Sequence, residues 1–113
     1  MTDDGRQFLL TTAWLFMRHG QRGRARSLFE ALLEADPRDG TAAVALAELL
    51  VADGEAGRAV SMLRGADVPD SLFHAEAVLE TRALRILGRA SEADARWRRY
   101  LESRKGPERK WVS

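Results

Sequence analysis

Few residues in this chain have the types and spacing that chemistry needs. Histidine occurs twice, at His19 and His74. Neither has a second histidine three or four residues away, so no helical face offers a metal-ligand pair. His19 stands beside Gly20 at the end of an apolar run, where a helix C-terminus favours a cation. Glu30/Glu34 and Glu76/Glu80 each set two carboxylates on one helical face. Glycosidases use two carboxylates, but these pairs lie beside helix-forming arginines and read as solvated faces. Gly20-Gln-Arg-Gly23 and Gly54-Glu-Ala-Gly57 lack the Gly-Lys-Ser/Thr ending of a phosphate loop. Cysteine is absent, which removes thiolate zinc sites, disulfides and cysteine nucleophiles together. No nucleophile, base and orienting group converge. The expectation is a protein that is not an enzyme and carries no cofactor or metal.

The C-terminal stretch is the other chemical candidate. Residues 96–113 hold seven Arg/Lys and two Glu, a net of +5, while residues 1–95 hold eleven basic and fifteen acidic groups. Arg96, Trp97, Arg98, Arg99 and Tyr100 mix basic and aromatic residues, an outward sign of nucleic-acid binding. Trp97, Tyr100 and Leu101, however, fall at i, i+3 and i+4, the spacing of a buried stripe. A solvated basic face is the better reading, with no nucleic-acid partner.

These residues must be positioned by helices. The chain has 113 residues, enough for one domain, with 45% hydrophobic and 31% charged residues, an ordinary globular balance. Alanine and leucine dominate, and both favour helix. The opening Met-Thr-Asp-Asp-Gly is acidic and polar, unlike a secretory signal. Apolar runs fall far short of a bilayer span, so no membrane insertion and a cytoplasmic location are expected.

Gly20, Gly54 and Gly88 recur at an interval of 34 residues. Each is followed at the fifth position by alanine (Ala25, Ala59, Ala93) and four residues later by a large apolar side chain (Phe29, Leu63, Trp97). Glycine closes a helix in the left-handed conformation. The alanine marks a close helix crossing, and the large residue lies one turn on along the same face. Pro37 ends the first unit and Pro69 stands near the end of the second. This order at this period resembles the tetratricopeptide repeat. The pattern predicts an all-α fold of three stacked helix-turn-helix repeats, at about 6–39, 40–73 and 74–106, in a single domain over 1–106 with a basic tail at 107–113. Helices are expected over 6–19, 22–35, 40–53, 55–64, 71–87 and 89–104. Asp39 or Thr41 would cap the third, and Asp70 or Ser71 the fifth. The expected core is Leu9, Phe16, Leu28, Phe29, Leu32, Leu46, Leu50, Val60, Leu63, Leu79, Leu84, Leu87, Trp97, Tyr100 and Leu101. Trp111 would fold back on the last pair or touch a partner.

In such arrays the first helix of each pair lines an extended inner surface. Carrying the resemblance over position by position, the first helix contributes Gln7, Leu10, Trp14, Met17 and Arg18. The third contributes Thr41, Val44, Glu48 and Val51, and the fifth Ala75, Val78, Arg82 and Arg85. Leu10, Trp14 and Met17 are spaced i, i+4, i+7. If they share a helix with buried Leu9 and Phe16, that helix is apolar nearly all round and needs a cover. A bound polypeptide segment anchored on Trp14 would supply it. A thick internal core or a homodimer interface would supply it as well.

Phe8-Leu-Leu, Trp14-Leu, Gly20, Arg24-Ala, Leu28, Ala31-Leu-Leu and Pro37 together resemble the amino-terminal half of the SctY (YscY) family, small tetratricopeptide-type chaperones of bacterial type III secretion. The resemblance covers residues 7–38; beyond them only the repeat spacing supports it. It implies a heterodimer with a small secreted SctX-like client and engagement of the cytoplasmic domain of an SctV-like export gate. Such a chaperone, lacking ATP motifs, would act by binding equilibrium alone, with its arginines orienting an acidic segment. The alternative is a general tetratricopeptide interaction scaffold or homodimer with no secretion role.

Overall fold

A computed structural model describes residues 2–105. The helices are α1 (Asp3–Arg18), α2 (Arg22–Ala35), α3 (Gly40–Ala52), α4 (Ala56–Gly65), α5 (Phe73–Ile86) and α6 (Ala90–Lys105). They pair as α1 with α2, α3 with α4, and α5 with α6, and successive pairs stack through α2–α3, α4–α5 and α3–α5. This is an all-α helical repeat solenoid, and no strand occurs among the described residues. The expectations for Trp111 and for residues 107–113 lie outside the described residues.

The recurring glycines do what their spacing predicts. Gly20, Gly54 and Gly88 have φ of 74°, 83° and 76°, the left-handed region that suits glycine. Each closes the first helix of its pair with the same two hydrogen bonds. In the first pair, Gln21 N–H donates to the Phe16 carbonyl at 2.8 Å and Gly20 N–H to Met17 at 3.1 Å. Glu55 to Leu50 with Gly54 to Val51, and Arg89 to Leu84 with Gly88 to Arg85, repeat the pattern. This pair of hydrogen bonds satisfies carbonyls that a helix end leaves open. Ala25, Ala59 and Ala93 are all fully buried beneath the neighbouring helix.

α3 is the centre of the molecule. Gly40, Ala42 through Ala47, Leu49 and Leu50 are all buried. A helix this apolar is stable only when most of its surface is covered; the outer pairs provide that cover and leave only the strip at Glu48 open. Asp39 caps it, its carboxylate accepting from Ala42 N–H at 3.2 Å. The same carboxylate receives two bonds from Arg6, at 2.7 and 3.0 Å, which fasten the start of α1 to the second repeat. The segment from α4 to α5 crosses the start of α3. There Asp67 N–H donates to the Arg38 carbonyl at 3.0 Å, and Val68 is buried.

Four expectations need correction. Neither Asp70 nor Ser71 caps α5. A 3-10 turn at Asp70–Leu72 precedes that helix, and no side chain caps it. Leu87 is 41% exposed rather than core, because it follows the last turn of α5, at the position where the earlier repeats place exposed His19 and Asp53. Glu76 and Glu80 are not a solvated face: Glu80 is buried and Glu76 half-buried. Arg96 is buried with them instead of lying on the basic surface.

Candidate polypeptide-binding face

The repeat interval arranges the first-helix residues into rows. Gln7, Thr41 and Ala75 form one, and Leu10, Val44 and Val78 the next. Trp14, Glu48 and Arg82 form a third, and Met17, Val51 and Arg85 a fourth. Within each helix these positions share one face. The row of Trp14, Glu48 and Arg82 is exposed throughout, and so are Gln7, Arg18 and Arg85. Thr41, Met17, Val51, Ala75 and Val78 are half-buried.

Two residues of the expected lining are closed to any partner. Leu10 is 5% and Val44 7% exposed, and both belong to the main core cluster with Phe29, Leu46 and Leu50. The next repeat covers them, so they form the floor beneath the rows and leave the contact to their neighbours.

Trp14 is the largest apolar side chain on this face. It is 42% exposed, and its ring meets buried Phe29 edge-on, with centroids 5.8 Å apart at 74°. That packing holds the indole in one orientation while its outer half faces solvent. A large aromatic fixed in this way loses little freedom on binding, the property of an interface anchor. Leu9, Phe16 and Met17 pack against the core from the same helix, so α1 is sealed on one side and bare on the other.

Val78, Arg82 and Arg85 come together with Thr81, Ile86 and Trp97 around an open cleft of about 630 Å³ between α5 and α6. The last three were absent from the expected lining. The repeat interval carries that signal: Thr81 and Trp97 fall in register with Ala47 and Leu63. Arg85 bonds Asp94 at 3.2 Å on the rim. Among the described residues Arg82 makes no ion pair, so its charge is available.

Beneath this end of the molecule lies a buried ionic cluster. Arg96 donates to Glu80 at 2.8 Å and to Glu76 at 3.0 Å, and Arg64 reaches Glu80 at 3.0 Å. Burial, with Glu80 close by, raises the pKa of Glu76 against the opposing pull of Arg96. These carboxylates are held by guanidinium groups, which makes the cluster a structural joint between α5 and α6. No group of three or more His, Cys, Asp or Glu is placed to hold a metal ion among the described residues. No described helix is long and apolar enough to cross a membrane.

Residues 16–71 match the tetratricopeptide repeat family. The match supports a tetratricopeptide-type protein, and the paired helices and three equivalent glycine closures agree with it. Proteins of this type are interaction scaffolds, and typically not enzymes. No curated protein and no solved structure matches the chain.

Proposed function

We propose that the first-helix rows bind an apolar polypeptide segment, and that the chain is a type III secretion chaperone of the SctY kind. In this reading it holds a small SctX-like secreted client as a heterodimer in the bacterial cytoplasm and presents it to an SctV-like export gate. One observation carries the binding claim: Trp14, half-exposed yet oriented by Phe29, on an open row that continues through Glu48 and Arg82. The indole supplies the apolar anchor, and Val51 and Val78 extend the apolar track beside it. Arg82 and Arg85 at the far end give the client a direction, because a charged rim sets orientation and on-rate more than affinity. The secretion role rests on the resemblance of residues 7–38 alone; the coarser reading is a general protein-interaction scaffold.

Co-expression with the small protein encoded beside the chain's gene, followed by affinity capture, tests the proposal. A stable one-to-one complex is expected, and Trp14→Ala should lower capture at least tenfold, about 1.4 kcal/mol, at unchanged helicity. Capture indifferent to Trp14 removes it from the site. A gene neighbourhood without type III export components leaves only the scaffold reading.

A further inference from the structure

Each repeat of this fold ends in a seat that the first helix of the next repeat covers. Leu10, Ala13 and Phe29 are buried at the end of the first pair, and Val44, Ala47 and Leu63 at the end of the second. The interval of 34 residues carries these positions onto Val78, Thr81 and Trp97, which are only half-buried and line the open cleft of about 630 Å³. The Thr81 hydroxyl is buried in that wall and has no hydrogen-bond partner among the described residues. The third seat therefore repeats the first two, and no described residue covers it.

The opposite end shows the complementary defect. A first helix enters its seat with Ala45 and Leu49 in α3, and with Leu79 and Ala83 in α5, all buried. The equivalents in α1 are Thr11 and Leu15, and both are exposed, Leu15 to 49%. Phe8, one turn earlier on the same side, is 69% exposed. Large exposed apolar groups clustered on one face mark an interaction surface.

We propose that these two ends fit each other: α1 of one copy fills the α5–α6 cleft of the next, and chains stack head to tail in the register of their own repeats. The two described seats that are filled each hold a first helix, and α1 is the one described first helix that fills none. Its entering side, Phe8, Thr11, Thr12 and Leu15, is uncharged, so it meets Arg82 and Arg85 without like-charge repulsion. By composition alone, residues 106–113 carry two cations, Arg109 and Lys110, against one Glu108, a charge balance less suited to an arginine-lined cleft than the uncharged side of α1. The contact is heterologous and does not close on itself, so copies add at either end. The stack goes beyond the client reading and does not rest on it: the entering side of α1 is not the face that carries Trp14, while the cleft shares Val78, Arg82 and Arg85 with the proposed client track, so client and second copy compete there.

Sedimentation of the full chain from micromolar to near-millimolar concentration tests the proposal. The average mass of the wild type is expected to rise with concentration. Leu15→Lys blocks the entering side, and Thr81→Arg blocks the cleft, with Ile86→Arg as a second block at an exposed position. Each variant alone should remain a monomer of unchanged helicity. An equimolar mixture of Leu15→Lys and Thr81→Arg should form dimers and stop there, since each supplies the end that the other lacks. A wild type that stays monomeric throughout overturns the proposal. So does association that survives in the single variants, or a mixture that fails to dimerise. Client capture that persists in Leu15→Lys but falls in Trp14→Ala separates the two surfaces.

Discussion

Glu80 and Arg96 stand where the second repeat has Leu46 and Met62. The third repeat thus closes α5 on α6 with a buried ion pair where the second uses apolar contact. Removing charges from water costs several kcal/mol each, and only complete pairing offsets it. Glu80→Leu alone should therefore lose roughly 3 kcal/mol in denaturant unfolding, because Arg96 keeps only Glu76. The triple variant Glu76→Ala, Glu80→Leu and Arg96→Met, which restores the second repeat's own Ala42, Leu46 and Met62 and leaves no buried carboxylate unpaired, should equal or exceed the wild type. A triple variant as weak as the single one would mean that the joint has no apolar equivalent. The cluster is invisible in sequence because its members lie 16 and 20 residues apart, on separate helices whose mutual rotation no local pattern encodes. Asp39 was legible as a cap, since its position before α3 is local. Its second role, receiving Arg6, comes from 33 residues away. The Arg6 guanidinium is the largest cause holding the Asp39 carboxyl below its ordinary value of 3.8. A depressed acid contributes stability above its unfolded pKa and loses it as pH falls through the folded one. Acid titration of unfolding should show this loss below about pH 4. Asp39→Asn keeps a capping acceptor, so it should lower stability at neutral pH and flatten the acid decline. An unchanged acid limb would show that the pair contributes nothing.

At the scale of elements, the closing glycines made helix ends legible, and the exceptions have local causes. Leu87 suits a core by its apolarity, yet its register equivalents are His19 and Asp53, both exposed. Position in the repeat outweighed residue type. α3 shows the reverse, because its stretch from Ala42 to Leu50 is so apolar that periodicity alone gives no outward face. The short second helix of the middle repeat has a structural consequence. α4 ends at Gly65, and the segment that follows crosses over Gly40. A Cβ on Gly40 would stand 2.1 Å from the Asp67 carbonyl oxygen and 2.5 Å from Val68 Cα, both backbone atoms that cannot step aside. Gly40→Ala should cost about 1–3 kcal/mol in thermal unfolding. Gly57, also helical, meets only a Leu87 methyl at 4.0 Å, so Gly57→Ala should be neutral or gain up to about 1 kcal/mol. Equal effects at the two positions would contradict the crossing described here.

For the whole molecule, the period of 34 residues specified the solenoid, because stacking copies of one hairpin leaves few other arrangements. The candidate face was legible in its rows but not in its depth. Leu10 and Val44 belong to the expected lining by position, and they sink into the core because the next repeat covers them. Trp14 escapes since its row, shared with Glu48 and Arg82, lies off that contact. The cleft between α5 and α6 is not legible in the sequence, because spacing describes what packs together, not where an array stops. The central claim is that this scaffold binds polypeptide through the oriented indole of Trp14. Calorimetric titration of the co-purified client into wild type and Trp14→Ala tests it most directly. The account predicts a dissociation constant at least tenfold weaker for the variant, with helicity and unfolding midpoint nearly unchanged. Equal affinities would contradict it.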